Sequence, residues 1–241
     1  MSKIFITGSA DGLGFLAGKQ FLETGNSVVF HARNENRKNE IINKIPAAEV
    51  LVANLSNMDD VKNLAVKANK FGNFDAVIHN AGVYSASAKE IFSVNVLAPY
   101  ILTSLMEKPK RLVYLSSGMH LSGKLDFENF KKGNISYSDS KLYVVMFANA
   151  VARKWRDVFS NSVNPGWVPT KMGGKGAPDD LQKGFETQIW LATSEDETAK
   201  VSGQYFFHQK SDRSHPDAGN IGFQDEFLKI CEEISWVSFP N

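Results

Sequence analysis

The stretch Thr7-Gly8-Ser9-Ala10-Asp11-Gly12-Leu13-Gly14 follows the apolar run Ile4-Phe5-Ile6 and precedes an amphipathic segment. This order predicts a tight turn from a strand into a helix, where glycine lets the backbone turn sharply and approach a ligand closely. The N-terminus of such a helix presents free N–H groups and the positive end of the helix dipole, which together stabilise a phosphate. A glycine-rich turn with only a structural role is the alternative. The strand before the turn and the helix after it favour a dinucleotide site.

Strand-like and helix-like segments alternate along the rest of the chain. Apolar, β-rich runs predict strands near residues 4–7, 27–31, 49–52, 76–79, 111–116, 161–164 and 204–207. Amphipathic stretches predict helices at 12–24, 35–44, 58–71, 88–106, 137–156, 178–193 and 224–234. Strands that alternate with helices form βαβ units and a sheet covered on both faces. We therefore predict an α/β fold, a doubly wound, Rossmann-type and mostly parallel sheet of about seven strands.

Composition and charge narrow the class of protein. The 241 residues suit one domain spanning 1–241, since α/β folds of this length are commonly undivided. The net charge is +1 with acids and bases interspersed, and no apolar run reaches the roughly 18 residues of a membrane helix. We therefore expect neither a nucleic-acid nor a membrane partner.

The cysteine and histidine content argues against a disulfide or a metal site. Cys231 is the single cysteine, so neither an intrachain disulfide nor a cysteine-based metal cluster can form. His120, His208 and His215 lack the spacing of metal ligands. The N-terminus has no leader pattern, and together these features predict a cytoplasmic protein without a bound metal.

Two polar, glycine-bearing stretches interrupt the alternation, at residues 118–136 and 170–184. Each follows a predicted strand, and ligands of open α/β sheets bind outside the carboxyl ends of the strands. Long loops in that position are often lids. We predict that both stretches shape a substrate site, with a surface excursion without function as the alternative.

A tyrosine and a lysine lie four residues apart at the start of a predicted helix. This spacing places Tyr137 and Lys141 on one helix face, one turn apart. A phenol normally titrates near 10, and a nearby ammonium favours the phenolate, which suits a general acid/base. Upstream, Ser116 and Ser117 end a predicted strand, where a hydroxyl can donate a hydrogen bond to a substrate carbonyl. An exposed Tyr/Lys pair on a helix surface is the alternative.

The order and spacing of these motifs resemble the short-chain dehydrogenase/reductase family. The glycine spacing Thr-Gly-x-x-x-Gly-x-Gly is similar to that of the compact branch of the family. The other motifs that carry the resemblance are Asn80-Ala81-Gly82, Asn95, Ser116-Ser117, Tyr137-x-x-x-Lys141 and Pro165-Gly166-Trp167-Val168-Pro169-Thr170. They run from residue 7 to residue 170.

The resemblance implies a catalytic set of four residues. Tyr137 would protonate the carbonyl oxygen, and Ser117, in preference to Ser116, would hydrogen-bond the same oxygen. Lys141 would lower the Tyr137 pKa and hold the nicotinamide ribose. Asn95 would support a water that links Lys141 to solvent.

The resemblance also implies a cofactor-binding set. Thr170 and the backbone after Pro165-Gly166 would hold the nicotinamide carboxamide, and Asn80-Ala81-Gly82 would close the adenosine side. The full set is Gly8, Ser9, Asp11, Gly12, Leu13, Gly14, Arg33, Asn54, Leu55, Asn80, Ala81, Gly82, Tyr137, Lys141, Pro165, Gly166, Val168 and Thr170.

Some positions depart from the family pattern. Asn54 replaces the aspartate usual near the adenine, where an amide can still hydrogen-bond. His79 replaces the first asparagine of the common Asn-Asn-Ala-Gly, and we interpret it as a packed strand residue.

Cofactor choice depends on the residues after the second predicted strand. Ala32 occupies the position of the acid that would bind a ribose 2′-hydroxyl and repel a 2′-phosphate. Arg33 follows, and a guanidinium can pair with a phosphate through two hydrogen bonds. We therefore predict NADP(H) in preference to NAD(H). Asp11 argues the other way, since many phosphate-selective relatives carry a basic group there.

These observations predict an NADP(H)-dependent oxidoreductase that interconverts a carbonyl and an alcohol of a small-molecule substrate. One alternative is a nucleotide-sensing regulator or scaffold without useful turnover, although such a protein has no need of Tyr137 and Lys141 together. Another is reduction of an activated double bond at the same site. Relatives often pair through helices, so a homo-oligomer is a further expectation.

Overall fold

One sheet of eight strands forms the centre of the computed structural model, which describes residues 1–240. The strands are β1 (Lys3–Ile6), β2 (Ser27–Ala32), β3 (Glu49–Val52), β4 (Ala76–His79), β5 (Arg111–Leu115), β6 (Phe159–Asn164), β7 (Tyr205–Phe207) and β8 (Lys210–Ser211). Their order across the sheet is β3-β2-β1-β4-β5-β6-β7-β8. The first seven strands are parallel to their neighbours, and β8 alone runs antiparallel, against β7.

The predicted α/β class and the mostly parallel, doubly wound sheet are confirmed, with one strand more than expected. The additional strand, β8, consists of two exposed polar residues, so the sequence contains no apolar run that would predict it. It follows a turn in which His208 and Gln209 both have positive φ. This turn reverses the chain and sets β8 antiparallel.

The helices cover both faces of the sheet. They are α1 (Gly12–Glu23), α2 (Glu35–Lys44), α3 (Met58–Asn69), α4 (Ala88–Ile91), α5 (Ala98–Leu105), α6 (Phe127–Lys131), α7 (Tyr137–Lys154), α8 (Leu181–Thr193) and α9 (Ile221–Ser235). A π-helical segment, Phe92–Leu97, joins α4 to α5. The predicted helix at 88–106 is therefore helical to residue 105 but widened in the middle, and α6 lies inside the stretch predicted as a loop.

Alternate side chains of each central strand enter different hydrophobic clusters. Phe5 belongs to a cluster that includes residues of α3, α5, α7 and α9. Ile4 and Ile6 belong to a second cluster, which includes residues of α1 and α8. Burial on both faces explains why the central strands are nearly all apolar.

The order of the strands locates the crevice for a ligand. β1 lies between β2 and β4, so the chain leaves the sheet centre first in one direction and then in the other. Loops that leave neighbouring strands in opposite directions open a crevice at their carboxyl ends. In this protein the glycine turn after β1 and the segment after β4 border that crevice.

Within residues 1–240, none of the helices is both long enough and apolar enough to cross a membrane. The same residues contain no group of three or more His, Cys, Asp or Glu side chains arranged to hold a metal ion.

Candidate active site

A cavity of about 440 Å³ opens at the carboxyl ends of β1 to β6. Its volume falls within the roughly 300–1,000 Å³ typical of small-molecule sites. Fourteen of the predicted residues line it: Gly8, Asp11, Gly12, Leu13, Arg33, Asn54, Leu55, Asn80, Ala81, Gly82, Tyr137, Lys141, Pro165 and Thr170. The sequence motifs therefore converge on one space.

The turn after β1 is packed closely against the segment after β4. Gly8 has φ +63°, and a Cβ there would lie 2.8 Å from the Ala81 Cα, so only glycine fits. The Asn80 Nδ2 donates to the Thr7 and Gly8 carbonyl oxygens at 2.9 and 3.1 Å. The Ala81 N–H donates to the Thr7 Oγ1 at 3.1 Å. These bonds fix the glycine turn against the cavity wall.

Asp11 leaves the N-terminus of α1 free. It occupies the N-cap position, but its side chain accepts no capping hydrogen bond. Its carboxylate instead pairs with Arg37, and with Lys171 at 2.9 Å. Because of these ion pairs, the first N–H groups of α1 remain available to an anion.

The residues present fit a dinucleotide. Gly12 has φ +54°, and a Cβ there would meet nothing closer than 3.8 Å, from the Thr170 side chain. The backbone next to the α1 N-terminus is therefore open to a phosphate. The alternative, a glycine-rich turn with only a structural role, would not require an open space between Gly12 and a cavity.

Arg33 lies where two cavities adjoin. Its exposed side chain lines the main cavity and also an adjoining cavity of about 240 Å³, which it shares with Asn54. The Asn54 Oδ1 accepts from the Ser56 N–H and Oγ at 3.1 and 2.9 Å. The amide oxygen of Asn54 is thus engaged in its own turn, while the residue still lines the cavity.

Tyr137 and Lys141 lie on the first turns of α7, as their spacing predicts. The helix starts with a capping box, in which Ser136 and Asp139 exchange side-chain and backbone hydrogen bonds. The Lys141 Nζ donates to the Leu115 carbonyl oxygen at 2.7 Å and lies 5.5 Å from the centre of the Tyr137 ring. Sheet and helix therefore hold the ammonium beside the phenol.

The two titratable groups have shifted pKa values. Burial lowers the pKa of Lys141, which is 4% exposed, to about 8. Burial raises the pKa of Tyr137 to about 12, and the neighbouring Ser117 hydroxyl opposes that rise. The lowering of the Tyr137 pKa by Lys141 stays a prediction for the protein with its cofactor.

The two serines after β5 have different surroundings. The Ser116 Oγ is buried and donates to the Lys141 carbonyl oxygen at 2.9 Å, which fixes α7 against the strand end. The Ser117 Oγ accepts from the Met119 N–H at 3.2 Å, and its hydroxyl influences Tyr137. The Ser117 hydroxyl thus affects the pKa of Tyr137, whereas Ser116 lines the cavity.

Asn95 lies in the π-helical segment and behind the cavity wall. Its Oδ1 accepts from the Val83 N–H at 2.8 Å, and its Nδ2 donates to the Val83 carbonyl and to the Ser140 Oγ, both at 3.0 Å. A Cβ on Gly82 would lie 3.3 Å from the Lys141 Nζ and 3.5 Å from the Asn95 Oδ1. The amide and the ammonium therefore face the same small space.

Several predicted cofactor residues act behind the wall rather than in it. The Ser9 Oγ donates to the Ile6 carbonyl, Gly14 packs on the Asn80 side chain, and Gly166 packs on Asp179. Val168 is buried and contacts the position of Gly184.

The structure adds residues to the cavity that the motifs did not identify. They are Ala10, His31, Arg37, Val83, Glu90, Val94, Leu115, Lys171 and Met172, besides Ser116. The position of His31 near the end of β2 could have suggested a place in the wall. Lys171 has no such signal, because only the folded loop brings it to Asp11.

Large apolar side chains are exposed beside Tyr137 and in the segment after β6. The Tyr84 ring packs edge-on against the Tyr137 ring at a centroid distance of 4.8 Å. Met172 lines the cavity. The Trp167 Nε1 donates to the carbonyl oxygen of Gly173, which follows Met172, at 2.8 Å. Trp167 is held in place while its side chain remains largely exposed.

Comparison with known proteins shows which sequences this chain resembles. A family model described as short chain dehydrogenase matches residues 2–180. An uncharacterized oxidoreductase of Emericella nidulans is 44% identical over the whole of both chains. A short-chain dehydrogenase of Penicillium rubens is 38% identical, again over the whole of both chains.

A solved structure shares the fold. A short chain dehydrogenase of Shigella flexneri, complexed with NADP, superimposes with a TM-score of 0.70 at 21% identity. The match covers 87% of this chain and 97% of that one.

Proposed function

The chain belongs to the short-chain dehydrogenase family, and on that premise we propose that it interconverts a carbonyl and an alcohol of a small molecule with NADP(H). The observation that carries this proposal is the convergence of the glycine turn, Tyr137 and Lys141 on one cavity.

The cofactor would be held along the length of the cavity. The free N–H groups of α1 beside Gly12 would bind the pyrophosphate. Lys141 and Thr170 would hold the nicotinamide end, and Asn54-Leu55 and Arg33 the adenosine end. When bound, the reduced cofactor supplies the hydride for the carbonyl carbon.

Tyr137 would carry the proton. Its hydroxyl donates the proton to the carbonyl oxygen in reduction, while Ser117 donates a hydrogen bond to the same oxygen. The Lys141 ammonium, 5.5 Å from the phenol ring centre, stabilises the negative charge left on the phenolate. Asn95, which faces the same small space as Lys141, would support a water that returns a proton.

Arg33 supports a preference for NADP(H). Its side chain lines the cavity and would meet the ribose of the bound cofactor, and Ala32 leaves no carboxylate there to repel a 2′-phosphate. The related solved structure from Shigella flexneri is a complex with NADP. The carboxylate of Asp11, which argued against this choice in the sequence, is neutralised by Arg37 and Lys171.

The surroundings of Tyr137 favour a substrate with an apolar part. Tyr84 packs against the Tyr137 ring and Met172 lines the cavity, so both present apolar surface to this site. A cytoplasmic location and a homo-oligomer stay predictions from the sequence.

Replacing Tyr137 by Phe tests the proposed reaction. We expect Tyr137→Phe to reduce kcat for carbonyl reduction by about 10²-fold or more, because the proton donor is lost, while NADPH still binds. Turnover is measured as NADPH consumption with a panel of aldehydes, ketones and quinones, and binding by NADPH fluorescence.

Tyr143→Phe is the matched control, since Tyr143 lies on the same helix but outside the cavity wall. It should keep its turnover. Unchanged turnover in Tyr137→Phe would refute the assignment of the acid. Nucleotide binding by the wild type without consumption of NADPH on any panel member would favour a nucleotide sensor.

A further inference from the structure

A buried histidine joins the two walls of the adenosine half of the cavity. His31 is 1% exposed and lies near the end of β2. Its Nδ1 lies 2.9 Å from the Gly8 nitrogen, and its Nε2 lies 3.0 Å from the Ala53 carbonyl oxygen. Gly8 belongs to the glycine turn, whereas Ala53 directly precedes Asn54-Leu55 on the opposite wall.

The two partners determine which ring nitrogen carries the proton. The Gly8 N–H can only donate, so Nδ1 must accept. The Ala53 carbonyl can only accept, so Nε2 must donate. One neutral tautomer satisfies both contacts, and burial lowers the pKa of His31 to about 4, which keeps the ring neutral near pH 7.

The backbone of His31 is also tied to the glycine turn. The Ser9 N–H donates to the His31 carbonyl at 3.0 Å, and the His31 N–H donates to the Ser9 Oγ at 2.9 Å. The turn is thus connected to His31 by four hydrogen bonds, the fourth from the Ser9 Oγ to the His31 carbonyl at 3.5 Å, and the imidazole also links His31 to the end of β3 through Ala53. A planar ring holds its two nitrogens at a constant separation, which a flexible side chain does not.

Small movements of Gly8 matter because the turn has no spare room. Its backbone lies so close to Ala81 that a Cβ would clash with the Ala81 Cα. Loss of the imidazole would leave the Gly8 N–H and the Ala53 carbonyl without this partner, and both groups would move to find another.

We propose that His31 is a positioning residue for the adenosine half of the cofactor: its imidazole spans Gly8 and Ala53 and sets the distance between the walls that receive the nucleotide. This inference rests on the proposed nucleotide site and assigns a role to a residue that does not take part in proton or hydride transfer.

The experiment compares the two halves of the cofactor in variants of His31. His31→Leu removes both ring contacts, and His31→Asn keeps an acceptor for the Gly8 N–H but loses the donor to Ala53. Titration calorimetry measures 2′,5′-ADP and 5′-AMP as probes of the adenosine half and nicotinamide mononucleotide as the probe of the other half. Steady-state kinetics with NADPH separates KM from kcat.

His79→Leu is the matched control. His79 is also a buried histidine on a central strand, but it bonds to Thr103, packs on Tyr114 and does not line the cavity. Its replacement should lower thermal stability and leave every nucleotide affinity unchanged.

We expect His31→Leu to weaken binding of the adenosine probes by about tenfold and to raise the KM for NADPH by a similar factor. His31→Asn should show a smaller loss. Affinity for nicotinamide mononucleotide and kcat should stay within about twofold of the wild type.

Two results would overturn the inference, and they differ. If the wild type binds the adenosine probes and a folded His31→Leu or His31→Asn binds them equally well, His31 has only a structural role and the proposed function stands. If the wild type binds neither half of the cofactor, the proposed function itself fails. Should His31→Leu not fold, the His31→Asn variant decides between these outcomes.

Discussion

At the residue scale, Asp11 shows how the meaning of a charge depends on its partners. In the sequence, an acid in the glycine turn argues against a phosphorylated ribose. In the structure, burial works to raise its pKa, but the hydrogen bonds and charges of Lys171 and Arg37 hold that pKa below its usual value. The carboxylate is thus charged and neutralised, and in the proposed function Arg33 would meet the ribose end of the nucleotide.

This arrangement predicts opposite effects of two substitutions. Arg33→Ala should reduce kcat/KM for NADPH by roughly 10- to 100-fold and change kcat/KM for NADH little, because only the first cofactor has a 2′-phosphate. Asp11→Ala should improve kcat/KM for NADPH several-fold, since it releases Arg37 and Lys171 from their ion pairs and adds no side chain that could cap α1.

The measurement is the ratio of the two cofactor efficiencies in each variant. Arg156→Ala is the control, because Arg156 is an exposed arginine outside the cavity wall. Equal losses with both cofactors in Arg33→Ala would contradict the assigned phosphate contact.

Site residues that are related by local spacing along one helix could be predicted. Site residues that come together only through contacts between distant segments could not. Tyr137 and Lys141 share a helix face because four residues span about one turn. The ion pair of Lys171 with Asp11 joins positions 160 residues apart and has no local pattern. The same holds for His31, whose ring partners, Gly8 and Ala53, come from two other segments.

At the scale of elements, α7 connects Tyr137 and Lys141 to the loop before it. Asp139 serves as the N3 partner in the capping box, where its Oδ2 accepts from the Ser136 N–H at 2.9 Å. Its Oδ1 accepts from the Lys124 N–H at 2.7 Å, inside the stretch predicted to shape the substrate site. One carboxylate thus holds both the first turn of the helix and the preceding segment.

Removing that carboxylate should therefore affect both stability and turnover. We expect Asp139→Ala to lower the free energy of unfolding by about 1–2 kcal/mol and kcat by several-fold, because Tyr137 lies on the turn that loosens. Urea unfolding and steady-state kinetics measure the two effects. Asn57→Ala removes the cap of α3, which is remote from Tyr137, so it should cost similar stability without loss of kcat. Equal kcat in both variants would show that the cap does not position the phenol.

Element types were predictable where apolar periodicity carried the signal, and their details were not. The run from 88 to 106 is apolar enough to be read as one helix, but the widening at Phe92–Leu97 leaves no mark in that pattern. The widened turn contains Asn95, whose amide holds both backbone groups of Val83. α6 was missed because five residues are too few to show helical periodicity.

At the scale of the whole molecule, the doubly wound topology followed from the alternation of strands and helices. Each crossover between parallel strands is right-handed in nearly all proteins, which leaves few arrangements for such a sequence. Because helices cover both faces of the sheet, the central strands must be largely apolar. A polar side chain on such a strand is then buried as well. His31 and His79 are both buried among such strands.

Acid should therefore destabilise the folded protein through these two histidines. Burial lowers the pKa of His31 to about 4 and of His79 to about 3, below the 6.5 of an unperturbed histidine. Between pH 6.5 and those values the unfolded chain binds protons that the folded chain does not, so stability is fully present above pH 6.5 and falls as the pH decreases. Each histidine can contribute a slope of up to about 1.4 kcal/mol per pH unit.

Urea unfolding at pH 7, 6, 5 and 4 measures this slope, and a histidine variant separates it from the titration of carboxylates. His79→Phe keeps an aromatic ring against Tyr114 but cannot bind a proton, so its stability should decrease less steeply with acid than that of the wild type. The free energies of unfolding of the wild type and of His79→Phe should converge toward pH 4, where the wild type has lost much of its higher stability. Parallel curves over the whole range would mean that His79 has the same proton affinity folded and unfolded, and that the sheet does not exclude water from it.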